Sequence, residues 1–383
     1  MKLLMPPIRY IQPAVQADLT EKMVFLGGPR QVGKSTLALS FLSPPQATHP
    51  AYLNWDSPQH RTALLGGELP SGQPLIVLDE IHKFSRWRSL VKGFYDTQKS
   101  QTQFLVTGSA RLDYYRKGGD SLQGRYHYYR LHPFSLREYQ RTPSASDLAR
   151  LLKFGGFPEP LWRGEERFWR RWQRERLGRV THEDLRDLEN VRDVSIIDLL
   201  LESLPERVGS PLSVQSLREL LRVAHESVER WLSILETLYV CFRISPFGST
   251  RIRAVKKERK LYFWDWSQAP DGGPRFENLV AAQLLKFCHF IEDTEGHAME
   301  LRYLRDIDRR EVDFVVLKDR KPLFAVECKS GEQKPSPAAI YFRERTPIRR
   351  FFQVHLGKRD YGNDLTGVRV LPFATFCREW EMP

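Results

Sequence analysis

The chain has 383 residues, 41% hydrophobic and 12% aromatic, which fits a folded rather than a disordered protein and gives room for two or three domains. A formal charge of +12 favours a polyanionic partner, such as DNA or another nucleic acid. The four cysteines, Cys241, Cys288, Cys328 and Cys377, are too far apart for a C-x-x-C framework, and no apolar run reaches the length of a membrane span, so the composition reads as cytoplasmic.

Residues 1–22 read as a short leader, with a helical turn over 19–22. The apolar run at 24–26 then enters Gly27-Gly28-Pro29-Arg30-Gln31-Val32-Gly33-Lys34-Ser35-Thr36 and a helix over 37–42. The spacing Gly28-x-x-x-x-Gly33-Lys34-Ser35 is the phosphate-binding P-loop pattern. Glycines let the backbone N–H groups of residues 28–36 close around phosphate oxygens. Lys34 supplies a mobile cation to them, and the Ser35 hydroxyl suits a Mg²⁺ shell.

A second strand is expected at 51–55 and a buried parallel strand at 75–78, ending in Asp79-Glu80. That acidic pair, about 45 positions beyond Lys34, is the Walker B arrangement. Asp79 is expected to hold Mg²⁺ through water, and Glu80 to act as general base on the attacking water. A helix at 87–95 and a buried strand at 103–107 follow. Thr107 and Ser109, at the end of that strand, are both candidates for a polar group between the γ-phosphate and the water. Arg125, just after Gly124, is a candidate transition-state cation, acting on its own chain's nucleotide or on a neighbouring subunit's.

The stretches GGPRQVGKST, YLNWDSP, LIVLDEIHK, TGSAR, LQGRYHYYRLHPFSLREY and FGGFPEP occur in this order. Together they resemble a prokaryotic family of AAA-type ATPases. The resemblance implies an α/β protein in three parts: a P-loop ATPase domain with a parallel sheet (1–142), a helical, winged-helix-like connector (143–260), and a C-terminal α/β domain related to the PD-(D/E)XK nucleases (261–383). It also implies ATP as the nucleotide, since no base-reading motif selects it. Ser35 stands where many relatives carry Thr, and it can do the same chemistry.

Residues 163–192 interleave arginines with Phe168, Trp169 and Trp172, just after Trp162. They read either as an amphipathic helix with a solvated basic face or as a nucleic-acid grip. Two helices at 212–220 and 224–232 resemble a winged-helix unit. Its second helix presents His225, Glu226 and Glu229, acids that a phosphate backbone repels, which favours a packing role. The charge run 256–260 reads as a solvated hairpin.

Strands are expected at 301–305, 312–316, 324–329, 351–354 and 368–371, after a helix beginning near Glu277. Asp313-x13-Glu327-x-Lys329 is a metal-nuclease signature. Strand periodicity puts Glu327 and Lys329 on one face, where Asp313 and Glu327 can hold Mg²⁺ while Lys329 orients water. Glu277 matches the extra acid that such sites carry. The same residues also fit a salt-bridge network that has lost cleavage. In that case the protein is a nucleotide-gated interaction protein, which binds nucleic acid or protein without cutting. Oligomeric state is open.

Overall fold

A computed structural model describes residues 8–108, 122–180, 194–248, 258–362 and 367–383. The chain divides into two compact units, Met1–His132 and Pro133–Pro383.

The first unit contains α1 (Gln12–Asp18), β1 (Met23–Gly27), α2 (Lys34–Leu39), β2 (Tyr52–Asn54), α3 (Pro58–Leu65), β3 (Leu75–Asp79), α4 (Trp87–Gln98), β4 (Gln103–Thr107) and β5 (Tyr126–Arg130). All pairings are parallel, in the order β2-β3-β4-β1-β5. β1 and β3 are buried along their whole length, as their uninterrupted apolar runs require in a sheet covered on both faces. One face packs Phe25, Ile76, Leu78, Phe104 and Val106 against Trp87, Val91 and Phe94 of α4. Parallel strands gather their C-terminal ends on one edge, so Gly27, Asp79 and Thr107 arrive together. The leader is helical over Gln12–Asp18, earlier than the turn expected at 19–22.

The second unit begins with helices α5 (Leu136–Tyr139), α6 (Ala145–Phe154), α7 (Pro158–Arg163), α8 (Glu166–Arg179), α9 (Val194–Ser203), α10 (Val214–Leu221) and α11 (His225–Thr237). There follow β6 (Cys241–Pro246), β7 (Lys260–Phe263), α12 (Gly273–Glu295), β8 (Met299–Arg305), β9 (Glu311–Lys318), β10 (Lys321–Lys329), α13 (Pro337–Arg345), β11 (Phe351–His355), β12 (Val368–Pro372) and α14 (Phe373–Glu379). Seven strands form one sheet in the order β12-β11-β10-β9-β8-β6-β7. β8, β9 and β10 pair antiparallel, while β10, β11 and β12 run parallel across the α13 crossover.

This division differs from the boundaries expected at 142 and 260. The first unit closes at His132. The hairpin β6–β7, which follows α10 and α11 as a wing would, pairs through β6 with β8 and so belongs to the C-terminal sheet.

Candidate nucleotide site and carboxylate site

The P-loop leaves β1 in conformations that restrict its sequence. Gly28 has φ +137°, and a Cβ there would lie 2.4 Å from the Leu131 carbonyl oxygen; Gly33 has φ +100°. Both positions require glycine. Lys34 is 6% exposed, and its Nζ donates to the carbonyl oxygens of Gly28 at 3.0 Å and Pro29 at 2.8 Å. Pro29, Arg30, Gln31 and Val32 span the loop between the glycines, and Thr36 follows Ser35 on α2.

Asp79 is buried at the end of β3. Its Oδ2 accepts hydrogen bonds from Ser35 Oγ at 2.9 Å, from the Tyr52 hydroxyl, and from Asn54 Nδ2 at 3.5 Å; its Oδ1 accepts one from Thr107 Oγ1. Burial, reinforced by the bond to Asp79, raises the Tyr52 hydroxyl above its ordinary pKa, so it donates. Ser35 Oγ and the Asp79 carboxylate thus stand side by side, as hard oxygen ligands suited to Mg²⁺.

Glu80 takes up a left-handed backbone, φ 57° and ψ 18°, unusual for a residue with a side chain. Its N–H donates to the Thr107 carbonyl at 3.1 Å. Its carboxylate lies 3.5 Å from Lys83 Nζ and 3.8 Å from His82 Nε2. Burial raises the Glu80 pKa, with Lys34 the strongest influence in the opposite direction. A carboxyl held above its usual range is the better proton acceptor at neutral pH.

The Arg125 register separates it from this cluster. β1 and β5 align Met23 with Tyr126 and Gly27 with Arg130. Arg125 therefore precedes the end of the sheet opposite the P-loop, roughly 15 Å away at about 3.3 Å per residue. There its Nε bonds Asp96 Oδ1 at 2.9 Å. Its own chain's P-loop is out of its reach. Ser109 lies outside the described residues, leaving Thr107 as the described candidate at this strand end.

Sequence reasoning missed Arg9. Its buried guanidinium donates to the carbonyl oxygens of Val32 at 3.0 Å and His132 at 2.5 Å, bracing the P-loop from outside. Tyr10 donates to the Arg130 carbonyl at 2.5 Å. An Arg-Tyr pair ahead of a helix carries no local signal for such a role.

In the second unit, β9 and β10 align Phe314 with Val326, which sets Asp313 beside Glu327. Asp313 Oδ2 accepts from the Cys328 N–H at 2.8 Å. Lys329 Nζ lies 2.8 Å from Glu327 Oε1. Glu327 Oε2 is buried with no hydrogen-bond partner. Burial, then the Asp313 charge, push the Glu327 carboxyl up to about 8. Glu277, on α12, accepts from the Tyr262 hydroxyl at 2.7 Å, and burial followed by Asp313 raises it also to about 8. The expected quartet Glu277, Asp313, Glu327 and Lys329 is brought together.

Lys260 departs from the solvated hairpin expected at 256–260: its side chain is 0% exposed. Its Nζ lies 3.5 Å from Glu277, 3.7 Å from Asp313 and in ion-pair contact with Glu311. The alternation Lys260, Tyr262 was the available signal: both point to one face of β7, and Tyr262 meets Glu277. Among the described residues, no group of three or more His, Cys, Asp or Glu side chains is arranged to hold a metal ion. Beside Asp313, Glu327 Oε2 is left as a buried carboxylate oxygen without a hydrogen-bond partner.

On α8 the aromatic residues turn inward. Trp172 is buried, Trp169 Nε1 donates to Ser267 at 3.0 Å, and the buried Arg176 stacks 4.2 Å from the Phe157 ring centroid. Arg167, Arg170, Arg171 and Arg174 form the exposed face, which matches the amphipathic reading. On α11, Glu229 and Glu236 both pair with the buried Arg243 of β6, at 2.8 and 2.9 Å. The acids of this helix fasten it to the sheet, consistent with a packing role.

Residues 20–140 match an AAA domain family, residues 145–269 a domain of unknown function (DUF8612), and residues 272–376 another domain of unknown function (DUF4143). An uncharacterized protein of Haemophilus influenzae is 21% identical over 351 residues, spanning 82% of this chain and 84% of its own. An uncharacterized protein of Methanocaldococcus jannaschii is 24% identical over 277 residues, spanning 66% of this chain and 60% of its own. The Aeropyrum pernix ORC1 protein, in a structure with DNA, aligns at a TM-score of 0.33 and 11% identity, over 69% of this chain and 92% of its own. The first unit is an AAA-type P-loop domain. No helix among the described residues is long and apolar enough to cross a membrane.

Proposed function

We propose that the protein hydrolyses ATP at the P-loop and engages nucleic acid, DNA first, through its C-terminal unit. The observation carrying the first half is the meeting of Ser35, Asp79 and Thr107 beside Lys34 and Glu80. Lys34 exchanges the carbonyls of Gly28 and Pro29 for phosphate oxygens, and the loop N–H groups of residues 28–36 close around the rest. Ser35 and Asp79 would hold the Mg²⁺, which when bound would screen the phosphate charge. Glu80 takes a proton from the attacking water, and Thr107 keeps Asp79 oriented. Arg125 is retained only as a cation offered to a neighbouring subunit.

The +12 charge and the nuclease-type residues support the second half. Asp313 and Glu327 would hold one Mg²⁺, which when bound would supply Lewis-acid activation of water, and Lys329 would orient that water. The rival reading, binding without cleavage, is favoured by Lys260, whose ammonium is already in ion-pair contact with Glu277, Glu311 and Asp313.

Turnover of ATP with and without DNA tests the coupling. Glu80→Gln is expected to bind ATP and hydrolyse it poorly; normal turnover would remove Glu80 as the base. Incubating linear and single-stranded DNA with Mg²⁺ or Mn²⁺ separates the two C-terminal readings. Cleavage lost in Lys329→Ala supports the nuclease, and retarded but intact DNA supports the rival.

A further inference from the structure

Lys260 occupies an unusual place. It sits at the start of β7, paired with Ile244 in β6 and bridged to Pro211, so its backbone is fixed from both sides. Its fully buried ammonium faces Glu277 from α12 and Glu311 and Asp313 from β9. The Tyr303 ring stands 5.5 Å from Nζ. Each carboxylate has a second tie: Glu277 to the Tyr262 hydroxyl at 2.7 Å, Glu311 to Arg305 at 3.0 Å, and Asp313 to the Cys328 N–H at 2.8 Å. Gly209 covers the cluster from another side, where a Cβ would lie 2.9 Å from both Glu277 oxygens.

We propose that Lys260 is a resident cation of the C-terminal site, standing where a second divalent ion would otherwise be gathered and limiting the site to one metal, at Asp313 and Glu327. This rests on the reading of Asp313 and Glu327 as a one-metal site. Buried carboxylates demand a counter-charge. A divalent ion supplies one reversibly, with its own waters; a tethered ammonium supplies one permanently through three donors. Because Lys260 is fully buried, a metal entering among Glu277, Glu311 and Asp313 would have to expel an ammonium that has no solvent to enter. Glu327 lies beyond this arrangement: its Oε1 meets Lys329, and its Oε2 has no hydrogen-bond partner. The unsatisfied oxygen therefore marks the side on which an exchangeable cation fits. The same filling explains why no three acids of the cluster converge as metal ligands.

The test counts bound Mn²⁺ on the full chain without nucleotide, by electron paramagnetic resonance and calorimetry. Wild type and Lys260→Arg are expected to bind one ion, and Lys260→Met two. Two ions on the wild type, or no additional ion on Lys260→Met, would overturn the proposal. None on the wild type but one on Lys260→Met would remove the Asp313–Glu327 site while leaving the role of Lys260 intact. Should Lys260→Met fold poorly, its thermal midpoint with and without Mn²⁺ decides. Mn²⁺ stabilisation markedly larger in Lys260→Met than in Lys260→Arg supports the proposal. Equal response in the two variants overturns it.

Discussion

Two buried lysines divide the chemistry of this molecule. Lys34 donates to the neutral carbonyls of Gly28 and Pro29, while Lys260 lies among three carboxylates. A carbonyl dipole holds an ammonium far less strongly than a carboxylate does, so an incoming phosphate can take Lys34 from its resting partners. Drawing Lys260 away would strip three acids of the cation they share. One cation is held for exchange, and the other is part of the fold. Depth does not separate them, since both side chains are almost wholly withdrawn from solvent.

Replacing each lysine by methionine gives the largest effects, and they should be opposite. Lys34→Met is expected to keep its thermal midpoint while ATP turnover falls by at least about 100-fold. Lys260→Met is expected to lose about 3–5 kcal/mol of stability in metal-free buffer, the range for stripping one partner from a buried charge network. Nucleotide binding by whatever fraction remains folded should be unchanged. Chemical denaturation and ATP titration of both variants measure this. A stability loss in Lys34→Met as large as that of Lys260→Met would abolish the distinction.

A smaller effect concerns two acids of the C-terminal site. Glu277 and Glu327 each rise from 4.5 to about 8, chiefly through burial. Between those values the folded chain keeps protons that the unfolded chain releases. This contribution is therefore fully present below pH 4.5 and is lost as pH rises towards about 8. Each group contributes a slope of at most about 1.4 kcal/mol per pH unit. Glu277→Gln removes one of the two, so its stability is expected to fall less steeply than wild type across this window, in metal-free denaturant titrations. An unchanged slope would mean that Lys260 already keeps Glu277 ionised.

How much of this was legible in the sequence depended on how local each relation is. The P-loop is a short-range spacing, and Asp79 ends an apolar run, so both sides of the nucleotide site were readable. Asp313, Glu327 and Lys329 were readable too, because one hairpin with a period of two brings them together. Lys260 was not. Its partners come from α12 and β9, and a lysine beside Lys256, Lys257 and Arg259 looks like any other surface charge. The edge strand β5, half-exposed and aromatic, lacked the continuous apolar run that marked β1 and β3. Without that strand's register, Arg125 could not be assigned to an end of the sheet.

Arg125 offers the smallest and most discriminating effect, and it bears on how open the exchangeable site is. A site whose cations are all internal, like that around Lys260, gains nothing from a second copy of the chain. The P-loop site, whose own Arg125 is turned away to Asp96, can still accept a cation from a neighbour. Arg125→Gln is therefore expected to change ATP turnover by less than about twofold at protein concentrations where the chain is monomeric, as removing an exposed ion pair should. If turnover per chain of the wild type rises with protein concentration and that rise disappears in Arg125→Gln, the arginine acts between subunits. If the variant loses activity equally at all concentrations, Arg125 acts within its own chain, and the β1–β5 register would have to differ in the nucleotide-bound protein.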